Sequence, residues 1–412
     1  MALSDTDLAH SLLSPRAVRE RAHRLLAMGI DGDLPNFSVD SGRLVRCSAY
    51  VLDTIRRNYP TLDVPFHARW RHFSAGGFDR WATLDRGTAW PTPAAKGRAA
   101  FDLAITSVLL DAGAGPAWRY REASSGETFA RSEGLAVASF DMFVAGDFST
   151  TPGDRLRADA EGLRTLTAMA VGDAFQVSGD NPLVGLEGRA ALLRRLGDVV
   201  AGKPDIFGRL DKPRPGGLFD HLAAQAEGGM LPAEAILRAL LDHFGPIWPG
   251  RITLGGLDLG DTWRHPALVT ADATNGLVPF HKLSQWLAYS LIEPLQWAGI
   301  GVTGIDALTG LAEYRNGGLF LDAGVLRLKD PSEAAIPQRV DSTLVVEWRA
   351  LTVALLDDVA GLVRHALGRP PEQFPLAKVL EGGTWAAGRR IAREKRVDGA
   401  PPLTVVSDGT VF

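Results

Sequence analysis

Apolar residues recur with a helical period along most of the chain. Ser14-Pro15 ahead of AVRERAHRLLAMG puts a proline in the first turn of a helix and a glycine just past its end. The same periodicity predicts further helices, at 42–58, 97–112, 156–172, 186–200, 231–244, 281–299, 340–367 (one long or two short), and 376–396. The final run, PLTVVSDGTVF, predicts a short strand or a docked tail. The pattern therefore predicts a mainly α protein with minor β structure.

Three stretches interrupt this period. Residues 60–93 combine aromatic side chains with glycines, which predicts strands, turns or an irregular pocket wall. Residues 202–218 are the best candidate for a long loop, and residues 245–280 are rich in Pro, Gly and Asp. Because no repeat and no long Pro/Ser linker divides the chain, we expect residues 1–412 to form a single compact unit, with 1–200 and 201–412 as possible lobes.

Composition narrows the functional classes. The 412 residues carry 44 Lys and Arg against 48 Asp and Glu, a formal net charge of −4 that disfavours non-specific nucleic-acid binding. The one cysteine, Cys47, excludes an intramolecular disulfide framework and a cysteine-rich metal site. No secretory signal and no apolar run of about 18 residues is present. We expect a cytoplasmic, soluble protein without a membrane partner.

Familiar catalytic motifs are missing from the chain. It has no Walker A run, no GxGxxG after a strand, no HExxH and no GxSxG. The nine histidines are scattered, and none has a convincing metal-ligand spacing with another histidine or carboxylate. We therefore expect neither a metal nor a cofactor.

Two segments combine aromatic or acidic residues with glycines. In ARWRHFSAGGFDRW, Trp70, His72 and Phe73 could stack on a planar ring; the alternative is an aromatic core with solvated or paired arginines. In LGGLDLGDTWRHP, Asp261 lies among glycines that let a backbone approach a ligand closely. The alternative there is a plain turn.

Two further segments place charge next to apolar helices. In LVPFHKLSQWLAYSL, His281 and Lys282 open an apolar helix whose start favours a phosphate or carboxylate; the alternative is a lysine that extends to solvent. In GVTGIDALTGLAEYRNGGLFLDAGVL, a glycine turn leads into a short helix that ends at Glu313, Tyr314 and Arg315. In a cleft, Glu313 would have a raised pKa or a firm partner. The alternative is a weak contact with Arg315.

These last two segments resemble the queuosine 5′-phosphate N-glycosylases, the queuosine salvage proteins. Over its full length the chain is most similar to a sister group, the uracil-catabolism protein 4 or uracil-regulated-gene 3 family of fungi and bacteria. The motifs that carry the second resemblance are RWRHFSAGGFDRW, SFDMF, RPGGLFDHL, GDTWRHP and LAEYRNGGLF.

The resemblances imply both a fold and a reaction. The salvage enzymes imply a helical fold similar to helix–hairpin–helix DNA glycosylases and hydrolysis of a ribosyl C–N bond. The uracil family implies a pathway through uridine monophosphate, ring opening and a ribosylurea phosphate. Our hypothesis is an N-glycosidase that releases urea and ribose 5-phosphate. Its partner is a small phosphorylated ribosyl substrate, and a homodimer is a possible assembly.

The resemblance also implies roles for individual residues. Glu313 stands where the salvage family has its catalytic Asp, and a carboxylate there would stabilise positive charge at the anomeric carbon. The Gly-Gly that follows replaces Pro-Gln, which removes the glutamine that recognises the base. The substrate-binding candidates are Lys282 for phosphate or ribose, Asp261 for a ribose hydroxyl or the leaving group, Trp70, His72 and Phe73 for the leaving group, His281 beside Lys282, and Arg315 for phosphate unless it only supports Glu313.

Two rival functions remain open at this point. An amidohydrolase acting on ring-opened uridine monophosphate would need a metal or an activated nucleophile. A non-catalytic nucleotide-binding protein would need neither, and it would return its ligand unchanged.

Overall fold

The computed structural model describes residues 3–208, 212–248 and 252–406. Helices dominate, and the strands occur only as short pairs, which confirms a mainly α fold with minor β structure. The closer likeness to helix–hairpin–helix glycosylases stays a prediction. Within the described ranges, no helix is long and apolar enough to cross a membrane.

The helices follow one another along the whole chain. Up to residue 202 they are α1 (Asp5–Leu12), α2 (Pro15–Asp31), α3 (Leu44–Asn58), α4 (Arg69–Phe73), α5 (Arg80–Gly87), α6 (Pro93–Leu109), α7 (Arg131–Ala145), α8 (Ala160–Thr165), α9 (Ala168–Ala174) and α10 (Leu186–Gly202). Beyond it they are α11 (Pro204–Phe207), α12 (Gly217–Ala223), α13 (Ala233–Phe244), α14 (Lys282–Trp297), α15 (Tyr314–Asp322), α16 (Thr343–Leu367), α17 (Leu376–Val379) and α18 (Trp385–Lys395). A π-helical turn, Leu380–Thr384, joins α17 to α18.

The strands pair two by two. They are β1 (Phe37–Val39), β2 (Tyr120–Arg121), β3 (Thr128–Phe129), β4 (Met230–Pro232), β5 (Thr253–Leu254), β6 (Leu257–Asp258), β7 (Thr262–Arg264), β8 (Leu277–Pro279), β9 (Gly301–Thr303), β10 (Leu326–Leu328), β11 (Gln338–Arg339) and β12 (Val405–Val406). The antiparallel pairs are β1–β10, β2–β3, β5–β6 and β7–β8, and the parallel pairs are β4–β9 and β11–β12.

Two helices lie at the centre of the hydrophobic core. Every residue of α14 from Ser284 to Ile292 is buried, as is every residue of α16 from Leu344 to Leu356. A helix buried on all sides is a core element. Helix α14 packs against α6 and α13, and α16 packs against α2, α3 and α15. The first turns of α14 and α15 therefore start from rigid surroundings.

Several local predictions were confirmed at helix ends. Ser14 caps α2 through a hydrogen bond from the backbone N–H of Ala17, and α16 is one long helix capped by Ser342. The final run begins with the short strand β12, and the rest of that run, 407–412, lies outside the described residues.

Two segment assignments were wrong. Residues 60–93 contain helices α4 and α5 rather than strands, because their aromatic side chains are buried and the glycines are confined to a tight turn at Ala75–Gly77. The helix expected at 156–172 is two helices, α8 and α9, because Leu166 is extended and Thr167 caps a new helix. The loop expected at 202–218 includes α11; its residues 209–211 are not described.

The helix at Glu313 was also assigned in the wrong direction. Residues 308–313 are not helical, and Glu313 is the N-cap of α15 rather than part of a helix end. Gly317 and Gly318 lie inside this helix. A Cβ on Gly317 would lie 2.7 Å from the indole of Trp348, so glycine is what allows α15 to pack against α16. The sequence pattern had suggested a stop where the structure has close packing.

Candidate functional site

A cavity of about 620 Å³, here called the large cavity, opens between α4, the start of α7, the start of α15 and α18. This volume is in the range of small-molecule pockets. Five arginines and three carboxylates line it: Arg71, Arg131, Arg315, Arg389 and Arg393, with Glu133, Glu381 and Asp398. The lining therefore carries an excess of positive charge although the chain as a whole is acidic.

Three of these arginines are engaged by the protein. Arg71 pairs with Glu293 at 2.8 Å, and Arg389 pairs with Glu133 at 2.9 Å. Arg315 donates to the carbonyl oxygen of Gly399 at 2.8 Å. The other two, Arg131 and Arg393, are exposed and have no hydrogen bond or ion pair to any part of the chain that the structure describes.

One stripe of side chains forms a wall of the large cavity. Glu381, Trp385, Arg389 and Arg393 follow at intervals of four residues from the π-helical turn into α18. A π-turn inside a helix is frequent at functional sites. Here it packs against α3, since a Cβ on Gly383 would lie 2.7 Å from a methyl carbon of Val51. The four-residue spacing was visible in the sequence and was missed.

Four rings lie together at the His72 side of the cavity. The rings of His67 and His72 both contact the indoles of Trp286 and Trp385, with centroids 5.6–6.4 Å apart. His67 Nδ1 lies 2.7 Å from Glu381 Oε2. The Nε1 of Trp286 is buried and has no hydrogen-bond partner among the described atoms. Burial lowers the pKa of His72 to about 4, and Arg69 adds to the effect, so this ring is neutral at pH 7.

Glu313 is fixed at the start of α15. Its Oε2 accepts the backbone N–H of Arg315 at 2.7 Å, and its Oε1 accepts that of Asn316 at 2.5 Å. Burial raises its pKa above the usual carboxylate value, while the two N–H groups and the charges of Lys282 and His67 act in the opposite direction. A carboxylate in this position is rigid and largely shielded from water.

Lys282 stands in the first turn of α14, half-buried by its surroundings. Burial lowers its pKa, and Glu313 is the strongest of the carboxylates that oppose this shift. Lys282 and Glu313 do not line the large cavity themselves. Glu313 adjoins it through Arg315, two residues further on, and through His67, whose partner Glu381 lines the cavity.

Asp261 and His281 surround the start of α14 away from the large cavity. Asp261 accepts two hydrogen bonds from Arg349 and one from the backbone N–H of Lys282. His281 has a left-handed backbone (φ 49°), and its Nε2 donates to the carbonyl oxygen of Leu12 at 3.0 Å. Both line a separate cavity of about 20 Å³, which has room for about one water molecule.

Trp70 and Phe73 lie in the aromatic core behind α4. Trp70 donates from Nε1 to the carbonyl oxygen of Ser290 at 2.7 Å and packs edge-on against Trp297. Phe73 is fully buried against Phe140. His72, on the other face of this single turn, lines the large cavity. Their packing holds α4 in place, and the predicted contacts of Trp70 and Phe73 with a substrate stay predictions.

The structure thus divides the eight sequence candidates into groups. His72 and Arg315 line the large cavity, Lys282 and Glu313 interact beside it, and the other four lie in the core or around the start of α14. Sequence analysis missed Arg131, Glu133, Glu381, Trp385, Arg389 and Arg393. Among the described residues, no three His, Cys, Asp or Glu side chains come together as a metal-ligand set.

Comparison with known proteins gives the family. The model of the family described as "Protein of unknown function (DUF1688)" matches residues 11–412. The chain belongs to the DUF1688 family. It is 38% identical over 419 residues to "Protein urg3" of Schizosaccharomyces pombe, a match that covers 99% of this chain and 100% of the relative. It is 37% identical over 414 residues to "Uracil catabolism protein 4" of Lachancea kluyveri, with 93% of each covered. These DUF1688 relatives confirm the uracil-family resemblance.

Proposed function

We propose that this DUF1688 protein acts in uracil catabolism, as the name of its Lachancea relative indicates for that protein. Its reaction in this proposal is hydrolysis of the ribosyl C–N bond of a ribosylurea phosphate or a related nucleotide. The observation that carries the proposal is the pair of Glu313 and Lys282, buried next to a cavity that carries more positive than negative charge.

The chemistry needs a fixed negative charge at the anomeric carbon. As the C–N bond lengthens, positive charge develops on that carbon and the ring oxygen, and a rigid carboxylate stabilises it. Water then adds to the carbon, and the departing nitrogen receives a proton, so that urea and ribose 5-phosphate leave. The two backbone N–H groups hold Glu313 in place, and Lys282 favours its ionised form.

The other candidates act around this pair in the same proposal. Asp261 becomes a positioning residue, because its hydrogen bond to Lys282 N fixes the start of α14. His72, neutral at pH 7, and Trp385 offer ring faces to an uncharged leaving group. Arg315 lines the path between the large cavity and Glu313.

The test measures products from ribosylurea 5-phosphate. We expect equal amounts of urea and reducing sugar, unaffected by a chelator, and a fall in kcat of about 100-fold in Glu313→Gln. Glu381→Gln tests the other buried carboxylate near His67, and the exposed Glu234→Gln is the matched control. A larger loss in Glu381→Gln than in Glu313→Gln would transfer the role to Glu381.

Two results would overturn the proposal. Ammonia or carbamate released without sugar would show an amidohydrolase. Tight binding of the ribosyl phosphate with no turnover would show a nucleotide-sensing protein.

A further inference from the structure

We propose that Arg131 and Arg393 form a subsite of the large cavity that binds the phosphate monoester of the substrate. The substrate class rests on the proposed function, whereas the subsite rests on the charges of the cavity. Sequence analysis had given the phosphate to Lys282 or Arg315, and this inference moves it to two arginines that the pattern did not single out.

The first argument is the charge balance of the lining. Each carboxylate already has a partner: Glu133 pairs with Arg389, and Glu381 with His67. Asp398 accepts the backbone N–H of Ala400 at 2.9 Å. Nothing in the described chain is left to neutralise Arg131 and Arg393. Their two charges match a phosphate monoester, which carries about −1.5 to −2 at pH 7.

The second argument is the backbone of Arg131. It begins α7 with φ 55°, a left-handed conformation that side-chain-bearing residues rarely adopt. Such conformations cost on the order of 1–3 kcal/mol and concentrate at ligand sites. In this conformation the first residue of α7 lies in the wall of the cavity, and its neighbours Phe129 and Ala130 line the same wall.

The third argument is the order of groups along the stripe on α18. Arg393 is exposed at one end, whereas Trp385 and Glu381 stand at the other end near the buried ring of His67. A phosphate stays partly hydrated at the exposed end, and the less polar part of the ligand reaches the ring faces. Planar guanidinium groups suit this role because each can bind two phosphate oxygens at once.

Calorimetry with ribose 5-phosphate, ribose and inorganic phosphate tests the subsite without any turnover. We expect ribose 5-phosphate to bind at least tenfold more tightly than ribose. Arg131→Gln and Arg393→Gln should each weaken binding of ribose 5-phosphate about tenfold, because each removes charge-assisted hydrogen bonds. Neither should change binding of ribose. Arg46→Gln, an exposed arginine on α3, is the matched control and should bind like the wild type.

The result that overturns the subsite is equal affinity of wild type and both cavity variants for ribose 5-phosphate. Turnover separates this failure from that of the proposed function. If the C–N bond is cleaved but KM is unchanged in Arg131→Gln and Arg393→Gln, the subsite is wrong and the function stands. If ribose 5-phosphate binding falls in both variants while no ribosyl substrate is cleaved, the subsite stands and the function is wrong. With both correct, KM rises and kcat changes little.

Discussion

Arg349 donates from its two terminal nitrogens to the two carboxylate oxygens of Asp261, each at 2.8 Å. The same carboxylate accepts the indole N–H of Trp263 at 2.6 Å and the backbone N–H of Lys282 at 3.0 Å. This buried ion pair joins the middle of α16 to the first turn of α14. It therefore fixes the position from which Lys282 extends toward Glu313.

Replacing Asp261 with Asn should strongly destabilise the fold. The substitution keeps the size of the side chain but leaves Arg349 buried without its counter-charge, a change that costs about 3–5 kcal/mol in buried pairs. Urea unfolding at pH 7 measures the loss, and the exposed Asp180→Asn is the matched control, expected within about 0.5 kcal/mol of wild type. Equal stability of Asp261→Asn and wild type would contradict the role of the pair.

The same comparison has a defined pH dependence. Burial acts to raise the pKa of Asp261, but Arg349 outweighs it and holds the pKa below the usual value. A carboxyl whose folded pKa is lowered stabilises the fold above its unfolded pKa of about 3.9. The advantage of wild type over Asp261→Asn should therefore persist from pH 7 to about pH 4. It should decrease as the pH falls further, through the folded pKa.

Much of the fold followed from local signals. Helix α2 was predictable because its cap residue, Ser14, and the proline after it act within one turn. Glu313 shows the limit of such signals. Its neighbouring glycines suggested the end of a helix, whereas Gly317 is required by contact with Trp348, which is 31 residues away in the sequence. A glycine that permits close packing and one that ends a helix look alike in one sequence.

The candidate site was predictable only in part, for a related reason. Glu313 and Lys282 belong to two segments that already carried charge next to apolar helices. The arginines of the large cavity come from α4, α7, α15 and α18, and no spacing connects Arg131 with Arg393. The ion pair of Asp261 likewise depends on Arg349 in another helix. Only tertiary structure brings such residues together.

Removing the charge of Lys282 should shift the pH profile of the proposed reaction. The positive charge of Lys282 lowers the pKa of Glu313, which burial has raised. In Lys282→Met this effect is lost, so the carboxyl should take up its proton at higher pH. Because the reaction needs the ionised form, the acidic limb of kcat/KM should move up by about one pH unit.

The matched control is Lys395→Met, at the exposed end of α18, which should leave the limb in place. Residual activity in Lys282→Met is sufficient, because the position of the limb is measured rather than the rate. A limb that stays in place in Lys282→Met would show that the two charges do not interact in the active protein.

Gly383 should be essential for the π-helical turn that aligns the stripe on α18. A Cβ at this position would lie 2.7 Å from a methyl carbon of Val51 and 3.0 Å from one of Ile55, and both side chains are fully buried. Gly383→Ala should therefore lower the free energy of unfolding by about 1–3 kcal/mol, the usual effect of overpacking a core. Gly361→Ala, inside α16 with nothing within 4 Å of the new methyl, should instead raise it by about 0.5–1 kcal/mol. Urea unfolding of the two variants measures both effects, and a Gly383→Ala protein as stable as wild type would show that the turn can move away from α3.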